Sequence, residues 1–556
     1  MKEKKARSKP SHLLRLDAWW TGLIIIIAIL ISTPILTVLS SIFAPSGEIW
    51  QHLAATVLQD YIINSSILTI GVSCVVLIVG VGTAWLVTAC SFPGSKIFEW
   101  ALLLPLAAPA YLLAYTYTNM LEYFGPVQTW LREIFGWSSL QDYWFPSIRN
   151  IWGAIAMMGL VLYPYVYLLA RLAFLEQSVC TLEASRSLGC GPWRSFFTVA
   201  LPLARPGIMA GLALVMMETL NDFGTVEYFG VNTFTTGIYR TWFGMNNRLA
   251  AAQLAGILML FIFLLLSLEL WSRRQAKYYK NTSPQKPNQR YKLGTVRSIL
   301  AGIACFIPLA FGFLIPGAYL LKLTIDNAET TLNDRFWELA RHSLILATIT
   351  AAIAIVFSLI MAYGKRLNQN LAMKLSTNIA GMGYAIPGSV IAVGVLIPIG
   401  TFDNALNSWM KANFGISTGL LLSGTIAALV FAYLVRFLAV AFGAIQSSLN
   451  GIKPNLDDAA RSLGYGSGQT LMKVHIPLMW GGMLTSAMLV FVDVMKELPA
   501  TLVIRPFNFD TLAIRVYQYA SDERLIEAAA PALAIVLVGI IPVIFLSLRI
   551  AKSRSA

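Results

Sequence analysis

Apolar segments long enough to cross a membrane recur along this chain and restrict its fold more than any other feature. A crossing helix needs about 20 mostly apolar residues, because it must bridge a hydrocarbon layer of about 30 Å. The sequence predicts twelve such spans, at 19–43, 62–90, 99–121, 151–174, 206–229, 249–272, 298–321, 341–363, 375–400, 419–442, 481–504 and 528–550. The expected fold class is therefore an all-α polytopic membrane protein of about 12 transmembrane helices.

Composition supports a membrane protein and argues against a nucleic-acid-binding one. Of the 556 residues, 57% are hydrophobic and only 12% are charged, whereas soluble domains are typically about one quarter charged. The net charge of +14 comes from short basic loops between apolar segments, which is the positive-inside pattern of membrane proteins. Membrane lipid is the expected surrounding, and no nucleic-acid partner is expected. The five cysteines show no metal-binding spacing, so no metal site and no cofactor are predicted.

Polar, basic stretches divide the chain into two halves. The predicted boundaries are a basic N-terminus at 1–18, a first half at 19–272, a linker at 273–297, a second half at 298–550 and a tail at 551–556. The charge of the N-terminus, linker and tail places all three on the cytoplasmic side. Each half then has an even number of spans, so the halves are parallel six-helix repeats. Both termini are expected to be cytoplasmic, in a multi-pass protein.

One polar island occurs twice, between the fourth and fifth spans of each half. It has an acid, two small residues, a Gly six positions after the acid and a Pro thirteen positions after the Gly. The residues are Glu183, Ala184, Ser185, Gly189 and Pro202 in the first copy, and Asp458, Ala459, Ala460, Gly464 and Pro477 in the second. The acid suits a helix N-terminus, and the Gly suits a left-handed helix end. Each island is predicted to be a short helix-turn-helix, closed by its Pro and able to dock into a groove of a partner protein.

The doubled island resembles the cytoplasmic coupling loop of binding-protein-dependent ABC importer permeases. The match has Ser185 in place of the second Ala and Asp458 in place of Glu, and the copies are offset by 275 residues. The resemblance implies that two copies of a separate ATPase subunit contact Glu183 and Asp458, and that Gly189 and Gly464 set the turn. It also implies a periplasmic or surface-tethered substrate-binding protein and a location in the bacterial cytoplasmic (inner) membrane.

Charged residues after each island are candidates for the substrate path, since charge inside a membrane is costly and is functional by default. Glu218 and Asp222 align with Asp493 and Glu497 at the island offset. The full candidate set is Glu218, Asp222, Glu227, Asp493, Lys496 and Glu497. They could attract a hard cation or form ion pairs that hold the bundle, for instance Lys496 with a carboxylate. For Arg436, in the tenth span, a structural ion pair is expected.

The stretches around these acids narrow the resemblance. Residues 218–227 with 233–240, and 493–502 with 505–513, are similar to the fused two-half permeases of ferric-iron importers. Ferric iron is the cargo that this likeness implies. Thiamine permeases share the fused architecture, and phosphonate or polyamine permeases share the islands, so these cargoes stay open.

Two other classes of protein can be compared with this interpretation. Twelve spans around a basic linker also describe a secondary transporter of the major facilitator type, but that class predicts no doubled island. A membrane enzyme would need a catalytic cluster, and the sequence has no GxxxxGK[ST] phosphate loop, no HExxH and no CxxC. We therefore expect a transport subunit without a catalytic or ATPase site of its own.

Overall fold

In this computed structural model, the described residues are 11–45, 47–139, 141–177, 187–189, 191–274, 290–368 and 370–552. The first half contains helices α1 Ser11–Ser41, α2 Glu48–Thr56, α3 Leu58–Ala89, α4 Ser95–Ala101, α5 Ala110–Leu121, α6 Pro126–Phe135, α7 Ile151–Glu176, α8 Pro192–Ser195, α9 Leu201–Asn221, α10 Gly224–Tyr228, α11 Phe234–Tyr239 and α12 Arg248–Arg274. A 3-10 helix at Leu104–Ala107 and π-helical turns at Phe196–Ala200 and Arg240–Gly244 lie between them.

The second half repeats this succession of helices. It contains α13 Thr295–Leu309, α14 Ile315–Asp326, α15 Ala328–Thr331, α16 Asp334–Leu367, α17 Leu371–Ala380, α18 Gly388–Phe414, α19 Ile426–Asn450, α20 Asn455–Ser462, α21 Ser467–Thr470, α22 Ile476–Met495, α23 Pro499–Ile504, α24 Leu512–Ser521 and α25 Leu525–Lys552. Its 3-10 helix is Gly383–Ala385, and its π-helical turns are Ala310–Leu314 and Leu471–His475. Two short parallel strands, β1 Cys90–Ser91 and β2 Tyr291–Lys292, pair with each other.

The predicted fold class is confirmed. Within the described residues, eleven helices are long and apolar enough to cross a membrane, and one bent helix pair brings the number to twelve. That pair joins Ser95–Ala107 to Ala110–Phe135 at an angle of 88°. The bend falls at Pro109, which caps the second helix, because proline removes a backbone donor and disfavours helix in the residue before it.

The predicted span at 375–400 is interrupted in the structure. The helix stops at Ala380, a 3-10 turn follows, and a new helix starts at Gly388 after Pro387. The sequence already places Pro387 opposite Pro109, and both prolines stand immediately before a helix start. The break in the third span is therefore a feature of both repeats.

Side-chain caps fix several helix starts. The Asn150 side chain accepts hydrogen bonds from the backbone of Trp152 and Gly153 at the start of α7, and Thr425 does the same for Ala428 at α19. Such caps satisfy donors that the first helical turn leaves without a partner.

Packing divides the chain differently from the sequence repeat. One compact unit consists of Met1–Ala44 with Arg341–Phe509, and the other of Pro45–Ala340 with Asp510–Ala556. In the first unit, α1 packs against α17 and α18, and α19 packs against α22. In the second unit, α7 packs against α3 and α9, and α25 packs against α14 and α24. Helix α25 also packs against the 3-10 helix Leu104–Ala107. The first and last helices thus contact elements that the repeat assigns to the other half.

Candidate functional site

The second island folds as a helix that ends at a left-handed glycine. Asp458 lies in the first turn of α20, where a carboxylate suits the helix dipole. Gly464 has φ +83°. Its N–H donates to the Arg461 carbonyl, and the Tyr465 N–H donates to the Ala460 carbonyl, both at 3.0 Å. This is the Schellman pattern, so the prediction that Gly464 ends the island helix is confirmed.

The first island is described only in part. Glu183 and Ala184 lie outside the described residues, so their predicted contact with an ATPase stays a prediction. Gly189 is described and has φ +80°, close to the value at Gly464. The two islands therefore share a left-handed glycine at the matched position.

The prediction that Pro202 and Pro477 close the islands was wrong. Each proline is the second residue of a long helix, α9 or α22, that continues from the island through a π-helical turn. A π turn widens the helix and shifts its hydrogen bonds to i→i−5. The proline ring and its missing N–H are then tolerated where a regular helix would kink. Each island is thus joined rigidly to the span that follows it.

Matched positions in the two islands expose matched apolar side chains. Leu188 and Leu463 are 84% and 75% exposed, and Phe197 and Met472 are 59% and 66% exposed. Each pair is separated by the island offset. Large apolar side chains that the rest of the chain leaves uncovered at repeated positions are available to a partner protein or to membrane lipid.

Some motif residues of the second island are exposed to a partner, and others are buried beneath the island helix. Asp458 and Ala459 are exposed, whereas Ala460 is buried. Arg461 lies 3.6 Å from the Asp458 carboxylate in an exposed pair, which contributes little energy. Asp458 is therefore accessible to a partner, while Ala460 supports the helix from within.

In the first half, two of the acids proposed for the substrate path form hydrogen bonds or an ion pair with neighbouring residues. The Asp222 carboxylate accepts hydrogen bonds from the Thr225 N–H (3.0 Å) and hydroxyl (3.0 Å) and from the Val226 N–H (3.2 Å). It thereby caps α10. The Glu227 carboxylate lies 3.3 Å from the Arg240 guanidinium. Glu218 is half-buried near the end of α9.

In the second half, Glu497 caps a helix as Asp222 does, and it also pairs with the side chain of an arginine. Its carboxylate accepts from the N–H groups of Ala500 (2.9 Å) and Thr501 (3.0 Å), at the start of α23. The Arg436 guanidinium donates to it at 3.0 Å, and both side chains are buried. Lys496 pairs with Asp493 at 2.9 Å. The structural ion pair expected for Arg436 is confirmed, whereas Lys496 pairs with a carboxylate three residues before it and does not link two helices through that contact.

The aligned acids Asp222 and Glu497 therefore bind backbone N–H groups, and each caps the short helix that follows a long span.

Among the residues that the structure describes, no group of three or more His, Cys, Asp or Glu side chains is placed to hold a metal ion.

Sequence reasoning missed a second charged cluster, at the base of the second island. Arg366, Asp457 and His475 come together there from three elements. The available signals were weak: Asp457 merely precedes the motif acid, and Arg366 resembles an ordinary basic residue at the end of a span. His475 marks a place where the two motifs differ by an ionisable group, since the first copy has Ala200 there.

Comparison with known proteins agrees with this architecture. The sequence model of the family described as "Binding-protein-dependent transport system inner membrane component" matches residues 14–274 and 354–554. Because it matches twice, it supports the two repeats.

Three relatives are informative. The Fe(3+)-transport system permease protein FbpB 2 of Haemophilus influenzae is 25% identical over 544 residues, covering 95% of this chain and 97% of the relative. The putative ferric transport system permease protein FbpB 1 of the same organism is 24% identical, covering 91% of this chain and 80% of the relative. The molybdenum transport system permease protein ModB of Escherichia coli is 33% identical over 154 residues, covering 28% of this chain and 63% of the relative. This chain belongs to the family of inner-membrane components of binding-protein-dependent transport systems, the permeases of ABC importers.

Proposed function

We propose that this chain is the permease subunit of an ATP-driven importer of ferric iron in the bacterial cytoplasmic membrane, with both termini cytoplasmic. Two relatives that align with over nine tenths of this chain carry ferric-iron transport in their names. The basic N-terminus, linker and tail support the orientation.

The doubled island carries the proposal. Each copy has a left-handed glycine, an exposed leucine just before it and a second exposed apolar side chain eight residues after it. One ATPase subunit would dock on each copy, with Asp458, and Glu183 by analogy, at the contact. Because the helical segment after the turn of each island continues into a long helix, movement of the island would move that helix. ATP binding would thereby drive alternating access to a substrate delivered by a binding protein.

For the substrate path, we favour Glu218 and Asp493. They align at the island offset and are half-buried on the helices that extend from the islands. Asp222 and Glu497 cap helices, and Glu227 forms an ion pair with Arg240. Asp493 carries a counter-charge beside it, because it forms an ion pair with Lys496. The chain itself is proposed to carry out no chemical reaction.

A second cargo class has one specific observation in its favour. The molybdenum permease is more identical to this chain than the ferric permeases are, although it aligns with only 28% of the chain. An oxyanion such as molybdate is therefore the alternative to test.

Uptake measurements distinguish these cargoes. Cells with and without this chain are given radiolabelled ferric iron, molybdate or thiamine in parallel. We expect loss of ferric-iron uptake alone when the chain is absent. Loss of molybdate or thiamine uptake, with iron uptake intact, would contradict the proposed cargo.

A further inference from the structure

The base of the second island contains an arginine that joins three helices. Arg366 lies in the last turn of α16. Its guanidinium donates to the carbonyls of Leu449 (2.7 Å) and Ile452 (3.0 Å), at the end of α19. Carbonyls at a helix end lack the regular i→i−4 partner, and a cation suits that end of the dipole. The remaining donors of Arg366 are directed at the island.

The partner of Arg366 in the island is Asp457, in the first turn of α20. Arg366 Nε and Nη2 lie 2.8 and 2.7 Å from Asp457 Oδ2. The other carboxylate oxygen, Oδ1, lies 2.6 Å from His475 Nε2. His475 is fully buried at the end of the π-helical turn that leads into α22. One carboxylate thus connects both helices of the island to α16.

Tyr363 adds a further contact one turn before Arg366. Its hydroxyl donates to the Ser467 carbonyl at 2.7 Å, where α21 begins. Its ring meets the His475 ring edge-on, with 5.4 Å between centroids. The island is therefore attached to α16 at α20, at α21 and at the π turn.

The first half has a different joint at the same place. Trp85, near the end of α3, packs against Phe174 and Phe196, with ring centroids 5.3 and 4.9 Å away. Gln177 donates to the Ala200 carbonyl at 2.8 Å. At the island offset, Ala200 stands for His475 and Leu182 stands for Asp457. In the first half, the described contacts between the island segment and the preceding helices are mainly aromatic. In the second half, the corresponding contact is an ion pair. We call these two connections the aromatic joint and the ionic joint.

We propose that Arg366, Asp457 and His475 are positioning residues that transmit the movement of the second island to α16 and α19, which makes the two halves couple to the ATPase through chemically different joints. This inference rests on the proposed function, because it assumes that an ATPase moves the island. A hydrogen-bonded ion pair fixes direction as well as distance, whereas packed helices can shift past one another by small sliding movements. We therefore expect the second island to be connected more stiffly than the described part of the first island.

The test uses the full chain, co-expressed with its ATPase and reconstituted in liposomes with its binding protein. Three quantities are measured for each variant: the ATPase that co-purifies, the basal rate of ATP hydrolysis and the stimulation of that rate by the binding protein. The variants are Arg366→Gln, Asp457→Asn and the double substitution. Arg366→Lys keeps the charge but loses the planar fork. Lys453→Gln is the matched control, since it removes a charge from an exposed position beside the island.

We expect Arg366→Gln and Asp457→Asn to retain the ATPase and to lose about tenfold in stimulation, as removal of a charged hydrogen bond implies. The double variant is expected to be no worse than either single variant, because the two residues act through one contact. Arg366→Lys should be intermediate, and Lys453→Gln should resemble the unmodified chain.

Two results would overturn the inference, and they are distinguishable. If the variants bind less ATPase while each remaining complex is stimulated normally, the cluster only maintains the fold. If the unmodified chain binds no ATPase, the proposed function itself fails, and the inference fails with it.

Discussion

The left-handed backbone conformation of Gly464 orients the exposed residue beside it, where we propose that the ATPase binds. Its φ of +83° lies in the left-handed region, and a Cβ there would meet no atom within 4 Å. Any penalty for a side chain at this position is therefore conformational and not a clash. Asn tolerates the left-handed region, whereas a β-branched residue is a genuine outlier there.

For this reason we predict that Gly464→Val weakens ATPase binding and Gly464→Asn does not. A left-handed residue with an unsuitable side chain costs about 1–2 kcal/mol, enough to reorient the exposed Leu463 beside it. Co-purification of ATPase with each variant, normalised to the permease in the membrane, measures the effect. Equal binding by the Val and Asn variants would show that the turn is not needed.

Glu497 and Arg436 form a buried ion pair in which each side chain compensates the charge of the other. Removing one partner of such a pair typically costs about 3–5 kcal/mol, because it leaves an uncompensated buried charge. We predict that Arg436→Met strongly lowers the yield and melting temperature of the purified protein. Addition of Glu497→Gln, which retains an acceptor for α23, should restore much of both. A double variant as unstable as Arg436→Met would contradict the pairing.

At the scale of the helix, the local sequence predicted which helices exist better than it predicted where each helix begins and ends. The spans and the glycine ends could be predicted, because apolar length and a left-handed turn are local properties. Pro387 stands opposite Pro109 in the sequence, but the 3-10 turn before Gly388 and the continuation of helix through Pro202 and Pro477 could not be predicted. These features depend on 3-10 and π-helical turns that no hydropathy pattern encodes. For the same reason, the cluster of Arg366, Asp457 and His475 was missed: its members are far apart in sequence.

The contact between α1 and α18 depends on a glycine. A Cβ at Gly394 would lie 2.5 Å from the Pro34 carbonyl oxygen, so only Gly permits the observed approach. We predict that Gly394→Leu separates the two helices and destabilises the protein by about 1–3 kcal/mol, the usual cost of overpacking. Thermal unfolding of the purified protein measures the change.

Gly443→Leu is the matched control, because that glycine lies in α19 and a Cβ added there would meet no atom within 4 Å. Its stability should be unchanged or slightly raised, since Leu favours a helix more than Gly does. Equal destabilisation by both substitutions would indicate that the loss does not come from the α1 contact.

At the scale of the whole molecule, the sequence repeat and the packing units differ. The repeat was predictable from spans and islands, whereas the exchange of terminal helices was not, because it depends on contacts between residues more than 300 positions apart, such as Pro34 and Gly394. One consequence is that the linker need not hold the halves together. Helix α1 of the first half packs on α17 and α18, and α25 of the second half packs on the 3-10 helix at Leu104–Ala107.

We therefore predict that a chain severed within the linker, expressed as residues 1–281 and 282–556, reassembles in the membrane. A tag on either fragment should recover both, because each contributes helices to the other's packing unit. A first fragment that lacks residues 11–41 should recover less of the second. Separate purification of the two intact fragments would contradict the packing.

The most direct test of the central claim is native mass spectrometry of this chain purified with its co-expressed ATPase. Two coupling islands predict one permease chain with two ATPase subunits. Within the same experiment, Gly464→Val should shift the population to a single ATPase subunit. A complex without ATPase, or one that holds a single subunit in the unmodified protein, would contradict the account of two islands that each couple the chain to ATP hydrolysis.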